Sequence, residues 1–373
     1  MQVSIFRTVA EVLPFKADWD RLAVHETLYV APFEELISSI SREGTNFRFI
    51  VAHDGGQVSA LACFVLWRNM RVYWFSQIRL FTIKVPTAGL YGSQLLGGAD
   101  AATAGSMLQA ILAEPMAKIV DFGEIPIASG LCEAARSYRR RMILHDNDRN
   151  CTRRLLSLAE GFQAYLARLR GSTRKAVQRD RRLFERLSPA WRHFETFEEA
   201  ALFLRDAAPL SKQTYLAGMG IALEDDAATR ARFAALAQAG RLRAYIAYVD
   251  GIPRAFAWGD ISHDVFYFRM TGYDPDFRKH CAGTAILFHA LEDLAQEPAC
   301  ARFDFGVRDL DYKERFGTIV IPCTGLSLAR WSSPSAVFAT MAGRVLDGLK
   351  GMSSRLLGGA RLARIRRKLR GQS

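Results

Sequence analysis

Between residues 242 and 306 the sequence imposes one order of elements. Residues 242–249, 252–260 and 265–271 are short runs rich in β-branched and aromatic residues, joined by the tight turn Asp250-Gly251 and a polar turn at 262–264. They predict three consecutive antiparallel strands. Asp274-Pro275 closes the third, a charged loop follows, and residues 283–296 predict a helix with Ile286, Leu287, Ala290, Leu291 and Leu294 on one face. Residues 302–306 then predict a returning strand. Strands in a meander followed by a helix and one more strand make an α+β fold.

The same order occurs earlier in the chain. A helix is predicted near 32–41, a hairpin at 47–53 and 58–67 around Asp54-Gly55-Gly56, further strands at 71–75 and 78–83, a helix within 99–117 and a strand at 119–122. Two copies of one unit with mixed, largely antiparallel sheets are therefore expected, with no residue-level repeat to support them. The expected division is 1–155, 156–332 and a tail at 333–373. The second unit opens with helical spacing of Phe162, Tyr165, Leu166 and Leu169, and a strongly basic helix at 170–186 that Gly171-Ser172 interrupts. A strand at 191–195 and helices at 197–207 and 225–240 precede the meander.

Composition narrows the setting. Of a net charge of +12 in 373 residues, the segment 341–373 carries nine basic residues against the single acid Asp347, a net of +8, which leaves +4 for the rest. A nucleic-acid-binding body is thus disfavoured. Six widely spaced cysteines contain no C-x-x-C pair, the seven histidines form no ligand-spaced cluster, and no metal is expected. No apolar run reaches the roughly 18 residues of a membrane span, and the first residues lack a signal-peptide pattern, so a cytoplasmic protein is expected. In the tail, Phe338, Met341, Val345, Leu349, Met352 and Leu356 recur at helical spacing, then Gly358-Gly359, then Leu362, Ile365 and Leu369 among basic residues. Such a segment either lies on an anionic membrane surface through 338–370, at the inner membrane face, or packs its stripe on the body.

The chemistry centres on Tyr267-Phe268-Arg269-Met270-Thr271-Gly272-Tyr273-Asp274, then Arg278-Lys279-His280-Cys281-Ala282-Gly283-Thr284 and a helix. A strand feeding a small-residue loop and a helix N-terminus is an anion site, because unpaired amides and the positive end of the helix dipole converge there. A pyrophosphate fits it. The spacing Arg278-x-x-Cys281-x-Gly283 resembles the acyl-CoA loop of the Gcn5-related N-acetyltransferase (GNAT) superfamily, R/Q-x-x-G-x-G/A, with Cys281 where the first glycine normally stands. Phe303-Asp304-Phe305-Gly306, followed by Tyr312-Lys313-Glu314-Arg315-Phe316-Gly317, resembles the signature of the BioF2-like (CelD-like, FemAB-related) acetyltransferase domain, which an arginine-rich helix also precedes. The resemblance covers roughly residues 161–325.

The resemblance implies a three-layer GNAT-like fold in tandem and transfer of an acyl group from acyl-CoA, acetyl or longer, to an amine. The first copy would be degenerate and the second catalytic. Backbone groups of Met270, Thr271 and Gly272 would hold the thioester and pantetheine, and Arg278, Lys279 and the amides of Ala282, Gly283 and Thr284 the pyrophosphate. Asp304 would be the base or amine-orienting carboxylate, unless it merely caps its loop. Tyr312 would be the acid for the leaving thiolate or a core aromatic, and Lys313 a nearby cation or a solvated charge. The acceptor is expected among amino sugars, amino acids and long-chain amines such as sphingoid bases, in envelope, polysaccharide or lipid biogenesis. Two alternatives stand beside this: a FemAB-type enzyme using aminoacyl-tRNA, the one case in which nucleic acid would be a partner, and a non-catalytic, membrane-peripheral binding protein.

Overall fold

A computed structural model describes residues 1–357 except positions 25, 27, 45, 76–77, 93, 147–150, 215–216, 218–219 and 308–309. The chain divides into two compact units, Met1–Cys151 with Pro322–Ser373, and Thr152–Ile321. Its strands are β1 (Gln2–Phe6), β2 (Phe47–Asp54), β3 (Gln57–Phe75), β4 (Ile78–Leu90), β5 (Ile119–Pro126), β6 (Ile143–Asp146), β7 (Cys151–Ser157), β8 (Ala190–Phe194), β9 (Leu242–Val249), β10 (Ile252–Ser262), β11 (Val265–Tyr273), β12 (Arg302–Asp304) and β13 (Ile319–Ala329).

In the first unit β1 to β4 pair antiparallel in sequence order, β4 and β5 run parallel, and β13 pairs antiparallel with both β5 and β6. Strand alternation sends successive side chains to opposite faces. Ile50, Ala52, Ala60, Ala62 and Phe64 pack with the helices Ala101–Ala113 and Gly130–Ser137. Phe47, Phe49, Val51, Leu61 and Cys63 pack with Lys16–Ala23 and Phe33–Arg42. The layers are therefore helix, sheet, helix.

The second unit is built the same way, its sheet running β7-β12-β11-β10-β9-β8. Tyr245, Ala247, Ala255 and Ala257 face the helices Phe162–Arg168, Gly171–Glu185 and Ala282–Leu294. Ala244, Ile246, Phe256 and Trp258 face Phe197–Lys212 and Ala227–Gln238. Two such three-layer units are the duplicated α+β architecture expected from the order of elements, in the tandem GNAT-like form that the resemblance implies. The hairpin turn Asp250-Gly251 forms with positive φ at both residues.

Several details depart from the sequence reading. The expected strands 58–67 and 71–75 are one strand, β3, and the strand expected at 302–306 ends at Asp304. β1, β6, β7, β13 and the helices Gly130–Ser137 and Asp311–Phe316 had no clear periodic signal. The tail's apolar stripe does not pack on the body over its described part. The helix Pro334–Leu357 instead buries Ala336, Ala339 and Leu346, and leaves Phe338, Met341, Val345 and Leu349 exposed. The rest of the tail, from Gly358 through Leu362, Ile365 and Leu369 to Arg370, lies outside the described residues. No helix among the described residues is long and apolar enough to cross a membrane.

Candidate acyl-transfer site in the second unit

The site begins where two parallel strands part. β11 and β12 pair over Val265↔Arg302, Phe266↔Phe303 and Tyr267↔Asp304, and there the pairing stops. β11 continues to Tyr273, held on its other side by β10. Its edge from Phe268 onward therefore turns backbone donors and acceptors toward a gap rather than a neighbouring strand. Met270, Thr271 and Gly272 all lie on this stretch. Thr271 spends its hydroxyl on Phe256 O at 2.9 Å, and Gly272 is obligatory because a Cβ there would stand 2.5 Å from the Phe256 ring. Only the backbone of these residues faces the gap as a potential ligand for a chain of amides.

Past Tyr273 the chain enters an anchored loop. Asp274 accepts the Asp276 amide at 3.0 Å and pairs with Arg254 at 2.6 Å, and that guanidinium lies 4.3 Å above the Phe277 ring. The short 3-10 helix Pro275–His280 places Arg278 and Lys279 in solvent. Cys281 then takes φ 59° and ψ 33°, a left-handed conformation, and the helix Ala282–Leu294 starts with no side-chain cap. That conformation accounts for a glycine at this place in the resembling loop, since a side chain in it is strained. The Thr284 and Ala285 amides bond to Cys281 O, whereas those of Ala282 and Gly283 have no acceptor within the helix. Thr284 is thus a helix residue, and the two amides ahead of it are the ones available to an anion. A Cβ on Gly283 would meet the Tyr273 ring at 2.8 Å, so only glycine lets the helix start this close to the strand end.

Asp180 is a residue the sequence reading passed over. It is buried on the helix Gly171–Glu185, pairs with Arg179 at 2.7 Å, and lies against the Cys281 thiol. Burial, with the Asp180 carboxylate, pushes that thiol's pKa up and so favours its neutral form. The one signal available was an acid standing alone among Arg174, Lys175, Arg179, Arg181 and Arg182.

Below the strand gap, Asp304 is 1% exposed and spends its oxygens on two donors, Arg153 Nε at 2.6 Å and the Gly306 amide at 2.7 Å. Gly306 has φ 73°, which turns the chain out of β12. Lys313 is buried on the short helix Asp311–Phe316 and donates to Val307 O at 2.8 Å, inside the same turn. Asp304 and Lys313 are therefore brought together as the two ends of one knot. Tyr312 is half-buried with its ring 6.1 Å from Phe305, which in turn is 6.3 Å from Phe268 of β11, so Tyr312 stands one ring away from the parting strands. Arg153, the partner the sequence reading missed, shares the buried face of β7 with Cys151 and Leu155.

Comparisons with known proteins bear on the fold. Residues 171–314 match the model of the acetyltransferase (GNAT) domain. No curated protein matches the chain. Among solved structures, the fold is similar to that of FemX, at 11% identity and TM-score 0.61, with 90% of this chain and 98% of that one covered. It is also similar to the C-terminal DUF2156 domain of a putative lysylphosphatidylglycerol synthetase from Agrobacterium fabrum, at 11% identity and TM-score 0.52, covering 90% and 96%. Residues 171–314 thus carry the acetyltransferase (GNAT) domain, within a chain whose fold is similar to that of FemX.

Proposed function

We propose that the second unit transfers an acyl group from an acyl-CoA thioester to an amine acceptor. One observation carries this: β11 outruns β12 by six residues and leads directly into a loop with two exposed cations and two bare helix-terminal amides. The open β11 edge suits the amides of a pantetheine arm, and the loop suits a pyrophosphate. A thioester bound there supplies an activated carbonyl.

The residues divide the remaining work. Arg278, Lys279 and the amides of Ala282 and Gly283 hold the phosphates, and the backbone at Met270–Gly272 orients the thioester end. When the acceptor nitrogen forms the C–N bond the C–S bond breaks, the nitrogen's proton leaves to water, and Tyr312 gives its hydroxyl proton to the departing sulfur. Asp304 and Lys313 act as positioning residues, because their polar atoms bind Arg153, Gly306 and Val307. They hold the turn that carries Tyr312 beside the gap.

The test is a thermal-shift series with acetyl-CoA, long-chain acyl-CoAs and free coenzyme A, followed by thiol release in the presence of amino sugars, amino acids and long-chain amines. A ligand at 100 times its Kd adds about 2.7 kcal/mol of stability. Arg278→Ala with Lys279→Ala should weaken donor binding at least about tenfold while leaving the unliganded melting temperature in place. Silence of every thioester, with no change in the double variant, would end the acyl-CoA reading.

The exposed Lys175, Arg179 and Arg182 on the helix Gly171–Glu185 favour a second donor, aminoacyl-tRNA. Steeply salt-dependent tRNA binding without a thioester effect would select it.

A further inference from the structure

The helix Pro334–Leu357 is apolar on two opposite faces, and one face already explains its place in the first unit. Ala336, Ala339 and Leu346 are buried with Tyr73 and Val85, and the Tyr73 hydroxyl donates to Ala339 O at 2.6 Å. The other face carries Phe338, Met341, Val345 and Leu349, at spacings that keep them on one stripe, with 59%, 42%, 59% and 44% of their surface exposed. Phe81 extends the stripe, its ring 5.8 Å from that of Phe338 and itself partly exposed. Trp331, immediately before the helix, is also exposed. A helix with a second apolar face needs a second apolar partner.

We infer that this stripe docks on an anionic lipid bilayer. The charge around it selects that occupant. Residues 341–373 carry nine cations and one acid, and the acid, Asp347, is turned to the body, 3.2 Å from His145 Nε2. The sequence therefore couples an exposed apolar stripe to a strongly basic run of chain, the pairing an amphipathic segment needs at a headgroup boundary. A second copy of this chain would instead set two segments of +8 against each other. Trp331 and Phe338 are residue types that settle at the same boundary.

The experiment is sedimentation of the full-length protein with vesicles of phosphatidylcholine alone and with about one third phosphatidylglycerol. The protein should partition at least about tenfold more tightly on the anionic vesicles, and salt raised to about 0.5 M should remove most of that gain. Val345→Glu with Leu349→Glu should lower the partition coefficient about tenfold or more at an unchanged melting temperature, since both side chains are already in water. Failure of the wild type to bind anionic vesicles, or equal binding by the double variant, overturns the proposal. So does a dimer in light scattering that the double variant dissociates, which would make the stripe a self-association face.

Discussion

Asp304 and Arg153, 151 residues apart in sequence, meet at 2.6 Å with both side chains withdrawn from water. The pair ties the end of β12 to β7 at the point where β11 parts from its neighbour. Removing either group takes from the other its 2.6 Å charge contact in the interior, which costs up to about 3–5 kcal/mol. Asp304→Asn and Arg153→Met should each lower the unfolding free energy measured in urea by an amount of that order. The double variant should lose clearly less than their sum, as contacting residues do. Single-variant losses under about 1 kcal/mol would show that the pair does not hold the site.

Cys281 is predicted to matter through its backbone. Its left-handed φ of 59° strains any residue with a Cβ and a β-branched one most. Cys281→Gly should stay within about 1 kcal/mol of the wild type, because strain relief opposes the entropy of a freer unfolded chain. Cys281→Val should lose about 2 kcal/mol or more. Cys281→Ala should retain acyl transfer, since the thiol's pKa is raised. Loss of turnover in the alanine variant at normal donor binding would assign the thiol a chemical role.

Gly283 is expected to report on the cofactor loop. Alanine there drives a methyl group into the Tyr273 ring at 2.8 Å and pushes the helix start away from the strand end. Gly283→Ala should cost about 1–3 kcal/mol and raise the acyl-CoA Kd, and Tyr273→Leu should restore part of both. Titrating the donor by calorimetry separates the two effects.

His289 should make the second unit sensitive to mild acid. Burial, with His193 and Arg181 nearby, pushes its pKa down to about 4 from 6.5. Its Nε2 is 2.9 Å from His193 Nε2 and its ring stacks on Trp191 at 4.1 Å. Because the folded pKa lies below the unfolded one, the unfolded state binds the proton first. The stabilising effect is complete above pH 6.5 and is lost as pH falls toward about 4, at no more than about 1.4 kcal/mol per pH unit. Urea unfolding of the wild type and His289→Leu from pH 7.5 to 4.5 should show a shallower decline for the variant. Parallel curves would mean that other groups carry the acid sensitivity.

Local pattern determined much of this protein. The meander β9 to β11 and the loop leading into the helix Ala282–Leu294 are written in alternation, turn residues and helical spacing, each of which acts within a few residues. Candidate residues on the loop could be named for the same reason, since a helix N-terminus is a local object. The knot at Asp304 could not, because Arg153 lies on a strand whose CTRRLLS sequence looks like a polar linker until β12 pairs with it. The pairing of β13 with β5 and β6 is likewise a matter of which sheet edge is vacant. The tail shows the division most clearly: its sequence determined an amphipathic helix, whereas tertiary packing decided which apolar face is buried, because Ala336 and Ala339 allow close approach to the sheet and leave Phe338, Met341 and Val345 pointing away.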